Sequence, residues 1–310
     1  VHDVLYRALE QALHGKSSAR RHLGEASGAW RSLGGAELIE EAVLVDQSPI
    51  GRTPRSNPIT YIKAYAEIRR LFAEQPEAKR RGYGPGHFSF NVQGGRCEAC
   101  KGAGEELVEM VFLADVAMPC EVCEGRRFKS ETLEIQYRGR SIRDVLDLTV
   151  DEAIRFFIRR DRLGQALWQL QRVGLGYLRL GQPATTLSGG EAQRLKIARE
   201  LARRPSKKQR IYILDEPTVG LGLGEIGRLL SVLRELVESG NTVLMVEHDL
   251  DVIAAADWVV DLGPEAADGG GRIVASGPPP EIMATPGSHT GRYLALHLDS
   301  EPAGAGKLAG

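Results

Sequence analysis

Three short runs in this chain gather the side chains that phosphate chemistry uses. Ser188-Gly189-Gly190-Glu191 fits a Ser-x-x-Glu capping box, in which hydroxyl and carboxylate satisfy backbone donors at a helix start. Its two glycines leave N–H groups bare at the positive end of the helix dipole, where an anion is stabilised. Taken alone, such a run is more often a plain cap than a ligand site; here Ala192-Gln193-Arg194 and a helix through Glu200 follow it. Ile211 to Leu214 reads as a buried strand delivering Asp215 and Glu216 at its carboxyl end, where open α/β sheets bind ligands. In that place an Asp can hold Mg²⁺ and the next Glu can orient or deprotonate an attacking water; the bland alternative is a strand leaving the core through a solvated acidic turn. Another apolar run ends at Glu247-His248, where an imidazole can polarise a phosphate, and Gln47 follows a third short strand at 42–45.

The cysteines carry a second kind of chemistry. All four fall in two Cys-x-x-Cys pairs, Cys97/Cys100 and Cys120/Cys123, with 19 residues between the pairs. That spacing fits a structural Zn²⁺ site closed by four thiolates, against the alternatives of a redox pair or plain core cysteines. Glycines 94, 95, 102, 104 and 125 flank the pairs and supply the tight turns that two metal knuckles need. Nearby stand Lys79, Arg80, Arg81, Arg96, Lys101, Arg126, Arg127 and Lys129, interleaved with Phe88, Phe90 and Phe128. Such a face suits a DNA backbone, with Arg96, Lys101, Arg126 and Arg127 as the contacting cations. Glu105, Glu106, Glu109 and Glu121 dilute the charge, so an ordinary solvated face stays open as the alternative.

The elements that must position these groups follow from the frame of the chain. Its 310 residues are enough for about two domains, and 26% charged residues with a net charge of −1 exclude a molecule-wide cationic field. No apolar run reaches membrane length and no signal pattern opens the chain, so the cytoplasm is the expected compartment, with no membrane partner. Val1 to Leu13 has helical period but neither cap nor initiator Met, which reads as a cut. Residues 15–36 read as loop, Tyr61–Ala73 as helix, 82–130 as Gly-punctuated strand and turn, and Ser141 to about Leu180 as helix-rich, with Val145, Leu148, Ala153, Phe156, Phe157, Leu167, Leu170 and Val173 facing inward. From Arg210, strands at 210–214, 241–246, 258–261 and 272–275 alternate with helices at 225–238 and 251–256, the pattern of a mostly parallel, doubly covered sheet.

In their order, the signature run, the strand-end Asp-Glu and the strand-end His spell an ATP-binding-cassette (ABC) ATPase. The expected fold is therefore α/β: an ABC-type P-loop NTPase with a parallel-sheet core, interrupted by an inserted helical signature lobe and a zinc-binding hairpin module. The phosphate-binding loop itself is missing. Gly15-Lys16-Ser17 has Glu10 where the first Gly belongs, and Gly306-Lys307 has Glu301 there and Leu308 after the Lys. The loop is expected just before Val1. Expected domains are the first part of the ATP-binding core at 1–50, the inserted lobe at 51–185 with its zinc module at 87–130, the second part of the core at 186–298 and a disordered tail at 299–310.

Over Val1 to Leu298 the chain closely resembles the C-terminal half of the UvrA family, the DNA-damage-recognising component of excinuclease ABC. The resemblance rests on VDQSPIGRTPRSNPITY (45–61), HFSFNVQGGRCEAC (87–100), PCEVC (119–123), VGLGYLRLGQPATTLSGGEAQRLKIARELA (173–202), ILDEPTVGL (213–221) and the run from Asn241 to Gly277. It implies a homodimeric, double-stranded-DNA-binding, zinc-containing ATPase of nucleotide excision repair and the SOS response, which loads the B component of the excinuclease through regions outside this chain. On that resemblance Ser188, Gly189, Gly190 and Glu191 belong to the signature contacting ATP across a cassette pair. Asp215 binds Mg²⁺, Glu216 is the catalytic carboxylate, and Gln47 and His248 contact Mg²⁺ or water and the γ-phosphate. Gln47 and Ser188 are 141 residues apart, and on the resemblance the stretch between them holds the family's second signature domain. Two departures stand out: Val219 replaces a usual Thr and Gly222 a usual His. A drug-resistance paralogue of the family and a catalytically silent, zinc-stabilised DNA-binding module are the alternative readings. Without the phosphate-binding loop the chain alone is not expected to hydrolyse ATP.

Overall fold

The computed structural model describes residues 1–15, 28–108, 116–158, 161–203, 209–263 and 271–300. Lys16, Ser17 and Lys307 of the two near-matches to a phosphate loop, most of the expected 15–36 loop and nearly all of the expected 299–310 tail lie outside them. Among the described residues no helix is long and apolar enough to cross a membrane.

A π-helical turn at His2–Tyr6 leads into α1 (Arg7–His14), followed by β1 (Ile39–Val45), α2 (Pro58–Tyr61), α3 (Tyr65–Ala73) and α4 (Pro76–Arg80). The single helix expected over Tyr61–Ala73 is broken instead, because Lys63 takes φ 60°, a left-handed conformation that no helix continues through. Next come β2 (Glu105–Val108), β3 (Val116–Pro119), α5 (Ser130–Leu133), β4 (Gln136–Tyr137), β5 (Arg140–Ser141), α6 (Ile142–Asp147), α7 (Val150–Phe156) and α8 (Asp161–Arg172). Helices α6 and α7 begin at capping boxes built by Ser141/Asp144 and Thr149/Glu152, which explains two starts so close together. The chain ends with α9 (Gly189–Leu201), β6 (Gln209–Asp215), α10 (Leu223–Glu238), β7 (Thr242–Val246), α11 (Leu250–Ala254), β8 (Val259–Gly263), β9 (Arg272–Gly277), α12 (Pro279–Ala284) and α13 (His289–Ser300).

The molecule divides into two units, Val1–Leu214 with Ser231–Leu244, and Asp215–Leu230 with Met245–Gly310. In the first, β1 runs parallel to β6, with Ala42 opposite Ile211 and Leu44 opposite Ile213, in a sheet of order β1-β6-β7. Parallel strands are buried on both faces, and Tyr6 and Leu9 pack with Leu44, Ile211 and Ile213 to cover one of them. An aromatic core with Tyr65, Phe72, Phe88, Phe90, Phe128, Tyr137 and Phe157 fills the stretch between α3 and α8. Of the residues expected to face inward there, Phe156 is only half-buried. Segments far apart in sequence meet before α2 and before α9: Ala184 donates its N–H to the Ser56 carbonyl at 2.7 Å and Ile59 to that of Leu180 at 3.2 Å.

In the second unit β8 and β9 form an antiparallel hairpin of their own rather than further parallel strands. The connection at 264–271 is shorter than the dozen or so residues a parallel crossover requires, so a hairpin is the accessible geometry. Ser288 and Thr290 donate to Asp261 at 2.7 and 2.8 Å, fastening the last helix to this hairpin.

Candidate functional site

The start of α9 has the geometry its residues dictate. The Ser188 hydroxyl accepts the Glu191 N–H at 3.2 Å and the Glu191 carboxylate accepts the Ser188 N–H at 2.7 Å. Tyr177 also donates its hydroxyl to Glu191 at 2.7 Å, fixing the carboxylate from outside. Gly189 faces Gln47 closely: a Cβ at that position would stand 2.9 Å from the Gln47 side-chain oxygen and 3.1 Å from the Gln47 Cβ. Gln47 and the signature turn are therefore neighbours, within the first unit.

The loop carrying Gln47 is anchored by residues that sequence reasoning passed over. The Lys196 ammonium donates to the Asp46 carbonyl at 2.9 Å, the Ser48 carbonyl at 2.8 Å and the Ser48 hydroxyl at 2.9 Å, and it pairs with the Asp46 carboxylate. Gln193 donates to the Val45 carbonyl at 2.9 Å. The available signal was a lysine inside the apolar run Leu195-Lys196-Ile197, a place where a buried ammonium must find a partner. Burial raises the Asp46 carboxyl, but the hydrogen bonds from Lys196 and Ser48 and the Lys196 charge outweigh it and hold the group below its ordinary value. A carboxyl depressed in the folded state stabilises the fold above its unfolded pKa and ceases to do so as pH falls through the folded one. Stability is thus expected to drop below about pH 4, and Asp46→Asn should flatten that part of a denaturation-versus-pH curve.

At the carboxyl end of β6, Asp215 is half-buried and Glu216 exposed. Glu216 adopts φ 42°, which a non-glycine residue holds only when its surroundings impose it. Its N–H donates to the Val246 carbonyl at 2.9 Å. Glu247 accepts from the Thr218 N–H at 2.9 Å, the Thr218 hydroxyl at 2.7 Å and the His248 N–H at 3.1 Å, bolting the end of β7 to the turn after Glu216. The His248 Nδ1 then lies 3.7 Å from a Glu216 carboxylate oxygen. Carboxylate and imidazole face solvent together, an arrangement able to hold and steer a water molecule beside a phosphate.

The four cysteine sulfurs form one cluster. All lie within 4.8 Å of one another, Cys100 and Cys123 at 3.7 Å, and every residue is buried. Each pair turns back on itself so that backbone N–H groups point at sulfur; Gly104 donates to Cys100 Sγ at 3.3 Å. At Cys97 burial raises the thiol, but N–H groups of Cys100 and Ala99 more than offset it, whereas burial pushes Cys120 up to about 12. Lys101, Glu124, Gly102 and Gly125 supply the left-handed turns. At Gly102, φ 81°, a Cβ would meet the Phe90 carbonyl oxygen at 2.1 Å. Gly102→Ala is expected to cost roughly 2–5 kcal/mol, combining backbone strain and overlap, as thermal unfolding of the metal-loaded chain would measure.

The flanking cations separate into two groups. Lys101 and Arg126 are exposed and Arg96 half-buried, the Arg96 guanidinium reaching the Asn91 carbonyl at 3.2 Å. Arg80, Arg81, Arg126 and Lys129 each pair with a carboxylate. Arg127 is buried at 4% exposure, its guanidinium 5.5 Å over the Phe90 ring, and burial lowers its pKa. Phe88, Phe90 and Phe128 are buried as well. The aromatic residues expected to interleave with cations on the surface are core instead, because the aromatic side chains beside the cysteines pack on α3, through Tyr65 and Phe72.

Residues 117–219 match the family described as ABC transporter. The chain is 55% identical over 95% of its length to UvrABC system protein A of Thermus thermophilus and 56% identical over 97% to that of Methanothermobacter thermautotrophicus. It spans about 30% of the length of each of these relatives. The crystal structure of UvrA2 from Deinococcus radiodurans superposes with a TM-score of 0.83 at 51% identity, over 93% of this chain and 35% of that one. With the signature helix, strand-end carboxylates and cysteine cluster embedded in that likeness, the chain belongs to the UvrA family and has its ABC-type α/β fold with a parallel sheet.

Proposed function

We propose that the chain is the signature-bearing and catalytic-carboxylate portion of an ATPase that recognises DNA damage in nucleotide excision repair. The observation that carries this reading is an identity above one half, running through both strand ends and α9, with relatives named UvrABC system protein A. In this reading Asp215 ligates the Mg²⁺ that accompanies ATP, Glu216 activates the attacking water, and His248, beside it, orients water or γ-phosphate. Gln47 contacts Mg²⁺ or water, and Ser188, Gly189 and Gly190 meet nucleotide held by a second copy, with Glu191 holding their turn. Residues 1–50 and 186–298 form the ATP-binding core. Residues 51–185 are an insert, a division supported by the hydrogen bonds that close its neck at Ser56/Ala184 and Ile59/Leu180.

For the cysteine cluster we propose structural Zn²⁺. Four thiolates about 2.3 Å from one Zn²⁺ stand about 3.8 Å apart in a tetrahedron, which the 3.7 Å Cys100–Cys123 separation fits. With all four positions taken by sulfur, the metal would stiffen residues 87–130 and carry no step of the reaction. Double-stranded DNA would run past Arg96, Lys101 and Arg126, with Arg127 shaping that face from inside. The B component of the excinuclease would bind elsewhere on the whole protein, in the cytoplasm.

The test is ATP hydrolysis by the whole protein with and without duplex DNA. DNA-modulated turnover is expected; a fully folded, metal-loaded protein that never hydrolyses ATP would sink the proposal in favour of a silent DNA-binding scaffold. Removing Lys101 and Arg126 together should reduce the slope of log affinity against log salt by about 2. An unchanged slope would place DNA on another face.

A further inference from the structure

Gln47 is exposed, yet the peptide that carries it is held from both sides. The carbonyls flanking it, of Asp46 and Ser48, both accept from the Lys196 ammonium, at 2.9 and 2.8 Å. One turn earlier on the same face of α9, Gln193 takes the Val45 carbonyl at 2.9 Å. The side chains of Lys196 and Asp46 are each only 12% exposed, so the pair sits where charges are costly and where an apolar pair of similar volume would stabilise the fold as well or better. What an apolar pair cannot do is fix two carbonyls at once. The geometry points to Lys196 as a positioning residue: it ties the Asp46–Ser48 loop to the signature helix, so that Gln47 is set against Gly189 and moves only as α9 moves. This deepens the proposed function and rests on its assignment of Gln47 to Mg²⁺ or water.

A direct test introduces Gln47→Cys and Gly189→Cys together in the zinc-loaded chain, whose native thiols are then masked. A Cβ at Gly189 would lie 3.1 Å from the Gln47 Cβ, a few tenths of an ångström short of the roughly 3.5–4.5 Å span of a disulfide, a gap that a small shift of the two backbones closes. Crosslinking should be at least tenfold slower with Lys196→Met. Because that change strands a buried carboxylate, the neutral double change Asp46→Asn/Lys196→Met is measured beside it, with folding checked by circular dichroism. Equal rates in the folded variants would overturn the inference. In the whole protein the same double change should raise the Mg²⁺ concentration for half-maximal ATP hydrolysis several-fold and leave the KM for ATP nearly unchanged; an unaltered Mg²⁺ dependence would count equally against it. If the unsubstituted whole protein hydrolyses no ATP, the proposed function fails, and the crosslinking rate still decides whether Lys196 positions Gln47.

Discussion

Glu216→Gln in the whole protein is expected to cut ATP turnover by about 10²- to 10⁴-fold, the range that removing a general base produces, while nucleotide binding changes little. The side chain keeps its shape, and the backbone that presents it is held independently of the carboxylate. The Glu216 N–H is fixed by the Val246 carbonyl and the following turn by Glu247 through Thr218. The loss should therefore fall on kcat rather than on KM, because in the proposed role of Glu216 what is removed is the capacity to take a proton from water in the transition state. His248→Ala should also lower kcat, and the double change should cost less than the product of the single effects, since the two side chains lie 3.7 Å apart and would act on the same water. Steady-state hydrolysis across a range of ATP concentrations checks this. Full turnover in the Glu216 variant would move the base to another carboxylate.

Removing the proposed Zn²⁺ is expected to have the largest effect on stability. Structural Zn²⁺ contributes about 10–16 kcal/mol in small metal-folded modules, as much as or more than the roughly 5–15 kcal/mol that holds a typical domain together. The four cysteines make their own small cluster, joined by little besides Ala103. Without metal their sulfurs would remain as buried groups with one thiol pushed up to about 12 and protonated. Chelation, or Cys120→Ser, should melt residues 87–130 first and loosen the aromatic core reached through Phe88, Phe90 and Phe128, while the β1–β6 pair outlasts it. Metal analysis should give one Zn²⁺ per chain, and limited proteolysis after chelation should cut between the two cysteine pairs. An intact lobe in metal-free, reduced protein would show that packing alone sustains the hairpin.

Much of this was legible because the relevant physics is local. A Ser three residues before a Glu makes a capping box whatever surrounds it, so Ser188 and Glu191 could be placed from the sequence. Two Cys-x-x-Cys pairs flanked by glycines can turn only in a few ways, and the strands at 211–214 and 241–246 are short apolar runs ending in acidic residues. The misreadings came from decisions that lie outside any short window. Nothing near Lys63 announces a left-handed break in a helix. The hairpin of β8 and β9 follows from the length of their connection, which outweighs the strand–helix alternation before it.

The deepest division concerns charge. Sequence by itself determined which residue types stand at which strand and helix ends, and hence that thiolate metal binding and carboxylate-directed phosphate chemistry were the chemistries to expect. Only the tertiary structure decided that Arg127 is a core residue over Phe90 rather than a surface cation, and that Lys196, distant in sequence, closes on Asp46 and Ser48. A charged side chain can be solvated or buried at the same position in a pattern. The choice depends on whether the folded chain brings it a partner able to replace water, and that partner comes from another part of the chain.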